Sequence, residues 1–252
     1  LTTLSVIIIT RNEASNIGAC IDSVAFADEV IVVDSASTDD TVRIAKERGA
    51  RVTVTDDWPG FGPQKARALA MAAHTWVLSL DADERVTNEL GIEIRRAISG
   101  DQSSAFALPR LTQFCGQWIR HCGWTPDYVV RLFRRGSASF SDDLVHEQLV
   151  VNSGKTARLV HQLLHYSYPT PGHYWRKLEQ YSRAWAQQRY LAGRNASMSR
   201  ACFSGLIAFV RSYIFRLGFL DGPMGFAVCT MQAQAAFGKY FELYCLNRQH
   251  EK

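Results

Sequence analysis

Four short apolar runs, separated by helix-patterned stretches, constrain the first part of this chain to an α/β sheet. Residues 5–9 (SVIII), 29–33 (EVIVV), 51–55 (RVTVT) and 76–80 (WVLSL) are rich in Val, Ile and Leu. Runs of that length and composition read as strands, most of them buried. Between the first two, residues 15–24 place Ile17, Cys20, Ile21 and Val24 at helical spacing. Residues 40–48 follow a cap at Thr38 or Asp39 and stop at Gly49, and residues 64–73 supply a third helix. The order β-α-β-α-β-α-β with short connections predicts a mostly parallel sheet with right-handed crossovers.

Polar clusters stand at the C-terminal ends of the first, second and fourth runs. They are Thr10-Arg11-Asn12-Glu13, residues 34–40 (DSASTDD), and Asp81-Ala82-Asp83-Glu84. In an open α/β sheet that edge is where ligands bind, so three clusters along it converge on one crevice. The turn after the first strand has Gly18 alone and no Gly-x-Gly-x-x-Gly, and no phosphate loop of the Gly-x-x-x-x-Gly-Lys-Ser/Thr type occurs. The crevice therefore reads as one that holds a nucleotide through acids, a metal and single basic side chains. Asp81 and Asp83 repel each other, and keeping both ionised needs a cation. Mg²⁺ takes one or two carboxylates and completes its shell with water and phosphate oxygens. The competing reading is a solvated acidic loop at a helix N-terminus, with Glu84 meeting the helix dipole.

Residues 106–113 continue the sheet, and residues 129–133 read as a strand carrying Arg131, with Arg134 and Arg135 after it. A basic side chain there could meet a phosphate. Trp118, His121 and Trp124 lie in residues 115–124 and suit either a sugar ring or a core beneath a loop. Residues 140–147 (FSDDLVHE) form a second acidic site. His161 and His165 would share one face of a helix, but the His-Glu-x-x-His zinc pattern is absent. His161 reads as structural.

The 252 residues, 47% hydrophobic and 21% charged, allow one large α/β domain with an appendage. The six cysteines match no zinc spacing and read as reduced thiols. The first apolar run is short and lacks a basic flank, so no secretory signal is expected. Net charge is +4, but residues 1–157 carry −4 and residues 158–252 carry +8. From His173 onward the pattern is helical, with apolar stretches at 201–214 and 226–244. Neither supplies the roughly 18–20 uninterrupted apolar residues of a spanning helix. Apolar faces flanked by Arg and Lys suit helices lying in a membrane surface; packing on the first domain or dimerisation is the alternative.

Several segments resemble family 2 glycosyltransferases of the GT-A fold: residues 5–13 (SVIIITRNE), 30–41 (VIVVDSASTDDT) and 78–85 (LSLDADER). Residues 60–69, 123–136, Val145-His146-Glu147 and Leu164-His165-Tyr166-Ser167-Tyr168 are similar to the subgroup of lipopolysaccharide-core β-1,4-glucosyltransferases. The resemblance runs from Leu4 to about Phe241. It implies an α/β GT-A domain over residues 1–170, with a basic helical extension over 171–252 at the membrane surface. It implies inverting transfer of a hexose, glucose from UDP-glucose, onto an inner-core sugar. Carried over by motif, Thr10, Glu13, Asp34, Lys65, Arg67, Asp81 and Asp83 bind the nucleotide-sugar. Asp83 and His165 hold a divalent metal, Mg²⁺ or Mn²⁺, and Glu147 is the catalytic base, with Asp143 as the alternative. The partners implied are a nucleotide-sugar donor, a lipid-linked saccharide acceptor and the inner face of the cytoplasmic membrane, with no nucleic acid. A polyprenyl-phosphate or other glycan acceptor, and a non-catalytic nucleotide-binding scaffold at the membrane, are the competing functions. A phosphatase is disfavoured because its aspartate normally follows the first strand of the sheet.

Overall fold

The structure, a computed structural model, describes residues 2–100, 103–141 and 149–249. The elements follow in the order β1 (Leu4–Thr10), α1 (Ile17–Asp22), β2 (Glu29–Asp34), α2 (Thr41–Glu47), β3 (Arg51–Val54), α3 (Phe61–Met71), β4 (Trp76–Asp81), β5 (Glu84–Val86) and α4 (Asn88–Ser99). Then come β6 (Ala105–Phe114), β7 (Gln117–Trp118), β8 (Asp127–Arg134), β9 (Ala138–Phe140), β10 (Leu149–Val151), β11 (Thr156–Arg158) and β12 (Leu163–Tyr168). Three long helices close the chain: α5 (Pro171–Leu191), α6 (Met198–Val210) and α7 (Gly222–Gln249). The chain divides into two compact units, Leu1–Arg110 with Asp127–His165, and Leu111–Pro126 with Tyr166–Lys252. The sequence break expected at residue 170 thus differs from this division, which also gives the second unit a segment from mid-chain.

The first unit is the expected α/β sheet flanked by helices. Its strands run β3-β2-β1-β4-β8-β6, parallel from β3 to β4 and antiparallel at β8 and β6. β1 is buried along its whole length, as a central strand covered on both faces must be. Alternate residues go to opposite faces. Leu4, Val6 and Ile8 pack with Ile17, Cys20, Ile21, Leu90 and Ile94, while Ile7 and Ile9 pack with Ile31, Val33, Ala68 and Phe133. Each fully buried Ile contributes about 1.5–3 kcal/mol over leaving it exposed. Register sets the crevice: Thr10 pairs with Asp34, and Ile9 pairs with Asp81. The three polar clusters therefore do end at one sheet edge.

Three local expectations change. The third helix begins at Phe61, because Gly60 takes φ 112° at its N-cap, a conformation open to glycine, and Pro63 is tolerated in the first turn. The acidic stretch is not an open loop: Asp81 ends β4 and Glu84 begins β5, leaving Ala82 and Asp83 as the turn. His161 and His165 do not share a helix, since β12 carries His165 in an antiparallel pairing with β5, where His165 faces Glu84 in register. His161 instead bonds Glu93, through its backbone N–H and its Nδ1, each at 2.9 Å.

The second unit packs α7 against α5 and α6. Gly205 makes the α6–α7 approach possible, since a Cβ there would stand 3.2 Å from Ala233 O and from Phe237 Cβ. Its core joins Phe114, Ile119 and Cys122 to Val228, Cys229 and Met231. Trp124 packs on Tyr168 and Phe114, and Trp118 packs edge-on against Tyr166. His121 Nδ1 lies 2.9 Å from Asp221 Oδ1. Of the two readings of residues 115–124, these contacts supply the core one for Trp124. All six cysteines are free thiols. Among the described residues no single helix is long and apolar enough to cross a membrane; Met198–Phe215 and Gly218–Gln249 meet that test only as a pair, bent by 72°.

Candidate nucleotide-sugar site

The end of β4 carries a buried ion cluster. Asp81 Oδ1 lies 3.0 Å from Lys65 Nζ, and its Oδ2 meets the Arg131 guanidinium. Arg131 also bonds Glu84 Oε1 at 2.8 Å, and Arg110 approaches the same oxygen at 3.5 Å. The Glu84 side chain is fully enclosed, and that of Lys65 is 3% exposed. Glu84 Oε2 accepts the Asp81 backbone N–H at 3.0 Å, which closes the turn. Lone charges in such a place would be costly, and paired and hydrogen-bonded ones are tolerated. Glu84 thus belongs to a buried network and is not the solvated helix-cap acid of the competing reading.

Burial opposes the charge on Asp81, yet Arg131 and then Lys65 hold its carboxyl well below the ordinary aspartate range. Burial likewise opposes the Arg131 charge, and Asp81 and Glu84 outweigh it, holding the guanidinium protonated. The sign follows. A depressed carboxyl stabilises the fold above the unfolded pKa of about 3.9, and this is lost as pH falls through the lower folded value. Urea unfolding at falling pH is expected to lose more stability below about pH 4 in the parent than in Asp81→Asn. Parallel curves would show that Asp81 carries no such coupling.

Arg85 fastens the acidic turn to the loop after β1. It donates to Ala82 O and Glu84 O at 2.8 Å each and to Asn16 O at 2.8 Å. Asn16 in turn donates to Glu13 Oε2 at 2.8 Å, and Glu13 N–H donates to Thr41 Oγ1 at 2.8 Å. Asp34 is fully buried and accepts from Ser37 N–H at 2.8 Å and from the Ser37 hydroxyl. A carboxylate has about four acceptor positions, so these two bonds leave capacity for a ligand. Thr10 Oγ1 is buried with no hydrogen-bond partner among the described residues. An unsatisfied buried hydroxyl costs about 1–3 kcal/mol, which a ligand donor or acceptor at this edge would recover.

A cavity of about 490 Å³ opens here, lined by Lys65, Asp81, Arg110 and Arg131 together with Tyr128, Phe140 and Leu149. Its charged lining is three cations and one carboxylate, which suits a phosphate-bearing ligand. Asp83 and His165 meet nearby on the turn and on β12, with Asp83 Oδ2 3.3 Å from His165 Nε2. Among the described residues no group of three or more His, Cys, Asp or Glu side chains could enclose a metal. One carboxylate and one imidazole nevertheless fit Mg²⁺ or Mn²⁺ in a shell that water and phosphate oxygens complete.

The structure therefore brings together Thr10, Asp34, Lys65, Asp81, Asp83 and His165, with Glu13 tied to the same turn through Asn16 and Arg85. Arg67 is engaged elsewhere: it binds Asp57 through two 2.7 Å bonds on the exposed side of α3 and reaches Gln64 Oε1 at 3.0 Å. Gln64 bonds Ser35 Oγ at 2.9 Å and Thr55 Oγ1 at 2.8 Å, so it links α3 to the loop after β2. Glu147 and Asp143 lie outside the described residues. Sequence reasoning placed Glu84 in the acidic cluster but not in a buried network, and it missed Arg85, Asn16 and Gln64. The only signal was Arg131, a lone cation in the otherwise apolar run Val129-Val130-Arg131-Leu132-Phe133.

Comparison with known proteins bears on the family. Residues 5–117 match the family model "Glycosyl transferase family 2". The chain is 33% identical over 246 residues to an uncharacterized glycosyltransferase of Rickettsia prowazekii, RP128, covering 93% of this chain and 84% of that one. It is 28% identical over 253 residues to the lipopolysaccharide core biosynthesis glycosyltransferase LpsC of Rhizobium meliloti, covering 96% of this chain and 92% of that one. A crystal structure of glucosyl-3-phosphoglycerate synthase from Mycobacterium tuberculosis, with Mn²⁺, UDP and glucosyl-3-phosphoglycerate, aligns at 28% identity over 44% of each chain with a TM-score of 0.38. That overlap is too partial to carry a donor or a metal across. The match along nearly the whole length of the Rickettsia protein, with the family match over the crevice-forming strands, shows that this chain belongs to the family 2 glycosyltransferases.

Proposed function

We propose that this glycosyltransferase moves a hexose, glucose from UDP-glucose, onto an inner-core sugar of lipopolysaccharide, with inversion and with a divalent metal. The cation-rich cavity at the end of β4, beside the Asp83–His165 pair, is the observation that supports the reading. The LpsC likeness supports the acceptor class. Lys65 and Arg131 face the position of a diphosphate, where charge grows as the leaving group departs. Asp34 and Thr10 offer an acceptor and a hydroxyl to ribose or base. A bound metal would supply Lewis-acid stabilisation of the leaving diphosphate, held by Asp83 and His165. Glu147 takes the proton of the acceptor hydroxyl. That oxygen bonds to the anomeric carbon while the carbon–phosphate-oxygen bond breaks and UDP leaves with the electron pair. The lipid-linked acceptor draws the enzyme to the cytoplasmic face of the membrane through its basic helices.

Glu147→Gln is expected to lower turnover by about 10²–10⁴ with donor binding unchanged. Unchanged turnover would remove Glu147 as the base. Radiolabelled UDP-glucose should deliver label to core oligosaccharide; label in a polyprenyl-phosphate fraction alone would reassign the acceptor.

A further inference from the structure

We propose that the cavity bounded by α6 and α7 in the second unit is a binding site for the phosphate of an anionic phospholipid. This rests on the membrane-surface part of the proposed function and assigns it a specific site. The cavity measures about 450 Å³ and is lined by Arg211, Arg216, Ser212, Gln232, Tyr240 and Ile207, among others, with no acidic side chain. That volume lies in the range of sites for small ligands. Neither Arg211 nor Arg216 has a side-chain partner among the described residues. The Arg216 backbone is fixed, since its carbonyl accepts the Cys122 N–H at 3.1 Å. Its aliphatic stem runs along Gly123, where an added Cβ would lie 3.5 Å from Arg216 Cγ. Two guanidinium groups lining one cavity without a counter-charge match the oxygens of a phosphate.

The surroundings select a lipid over a soluble phosphate. Phe203, Leu206, Ile207, Val210 and Ile214 recur at helical spacing along α6 and the turn after it, and all are exposed; Phe215 beside them is 75% exposed. Ile207 belongs both to this apolar face and to the cavity. An apolar helical face ending in arginines places hydrocarbon beside the cavity and phosphate inside it. A second copy of the chain is a poorer occupant, because the second unit carries 12 Lys+Arg against 4 Asp+Glu and would meet its own charge.

The test is flotation of the full chain with phosphatidylcholine vesicles, with and without phosphatidylglycerol. Arg211→Lys/Arg216→Lys keeps the charge but loses the guanidinium fork. It is expected to bind phosphatidylglycerol vesicles about ten-fold more weakly, as for one lost charge-assisted hydrogen bond. Arg211→Gln/Arg216→Gln is expected to lose more than Arg189→Gln/Arg194→Gln, which removes equal charge outside the cavity lining. Full binding by the lysine variant, or equal losses in the two glutamine variants, would mean diffuse attraction and overturn the site. Arginine-dependent thermal stabilisation by glycerol phosphate, without preference for phosphatidylglycerol vesicles, would reassign it to a soluble phosphate. Sedimentation as a dimer that excludes vesicles would reassign the face to a second copy. UDP-glucose binding by the same variants is expected to match the parent. Its absence in the parent would sink the donor assignment and leave the vesicle result standing.

Discussion

Arg131→Met is expected to destabilise the protein by about 3–5 kcal/mol, the usual cost of removing one partner from a buried ion cluster. Arg131 bridges Asp81 and Glu84, and Glu84 has no contact with solvent. Without the guanidinium, Glu84 keeps the Asp81 N–H at 3.0 Å and, as cation, Arg110 at 3.5 Å, and Asp81 keeps Lys65 at 3.0 Å. The turn that carries Asp83 then loses its anchor, so donor binding should fail along with stability. Urea unfolding measures the first effect. Adding Glu84→Gln to Arg131→Met should restore part of the loss, because it removes the uncompensated charge. A loss below about 1 kcal/mol would make the cluster equivalent to a surface ion pair.

Asp83→Ala is expected to lower turnover by about 10³ or more with the fold intact. Asp83 sits in the turn between β4 and β5, outside the Arg131 network, so its removal leaves the Asp81–Lys65 and Glu84–Arg131 contacts in place. Support for a leaving diphosphate is worth several kcal/mol, and each 1.4 kcal/mol is ten-fold in rate. Steady-state transfer at saturating Mg²⁺ or Mn²⁺ checks this, with thermal melting as the control for folding. Near-normal turnover would remove Asp83 from the catalytic machinery. His165→Ala should share the direction of the effect, since its Nε2 is the second donor at that position.

These two residues also show what the sequence makes legible. The alternation of apolar runs and helices located β1 to β4 to within a residue or two, because hydrophobic period is a local property. The crevice followed, since parallel topology fixes which strand ends share an edge. Asp81 and Asp83 stood out as acids ending an apolar run. Glu84 stood in the same cluster, but its burial was hidden, because its partners come from β8 and β6, strands formed by residues far along the chain. Arg85 and Asn16 act through backbone carbonyls, which carry no sequence signal. The Arg67–Asp57 pairing was also illegible, since Asp57 lies in a preceding loop whose path no periodicity specifies. The helix start at Phe61 was hidden by Gly62 and Pro63, which read as loop residues but are admissible in a first turn. His165 was legible as a site residue only by motif, and its place beside Asp83 depends on β12 pairing with β5.

The most direct test of the crevice is a binding and hydrolysis screen of UDP-, GDP- and ADP-sugars with Mn²⁺, with and without purified core lipid. Selective binding of UDP-glucose, with UDP released only when core lipid is present, is the result expected here. Failure of the folded protein to bind any nucleotide-sugar would contradict it.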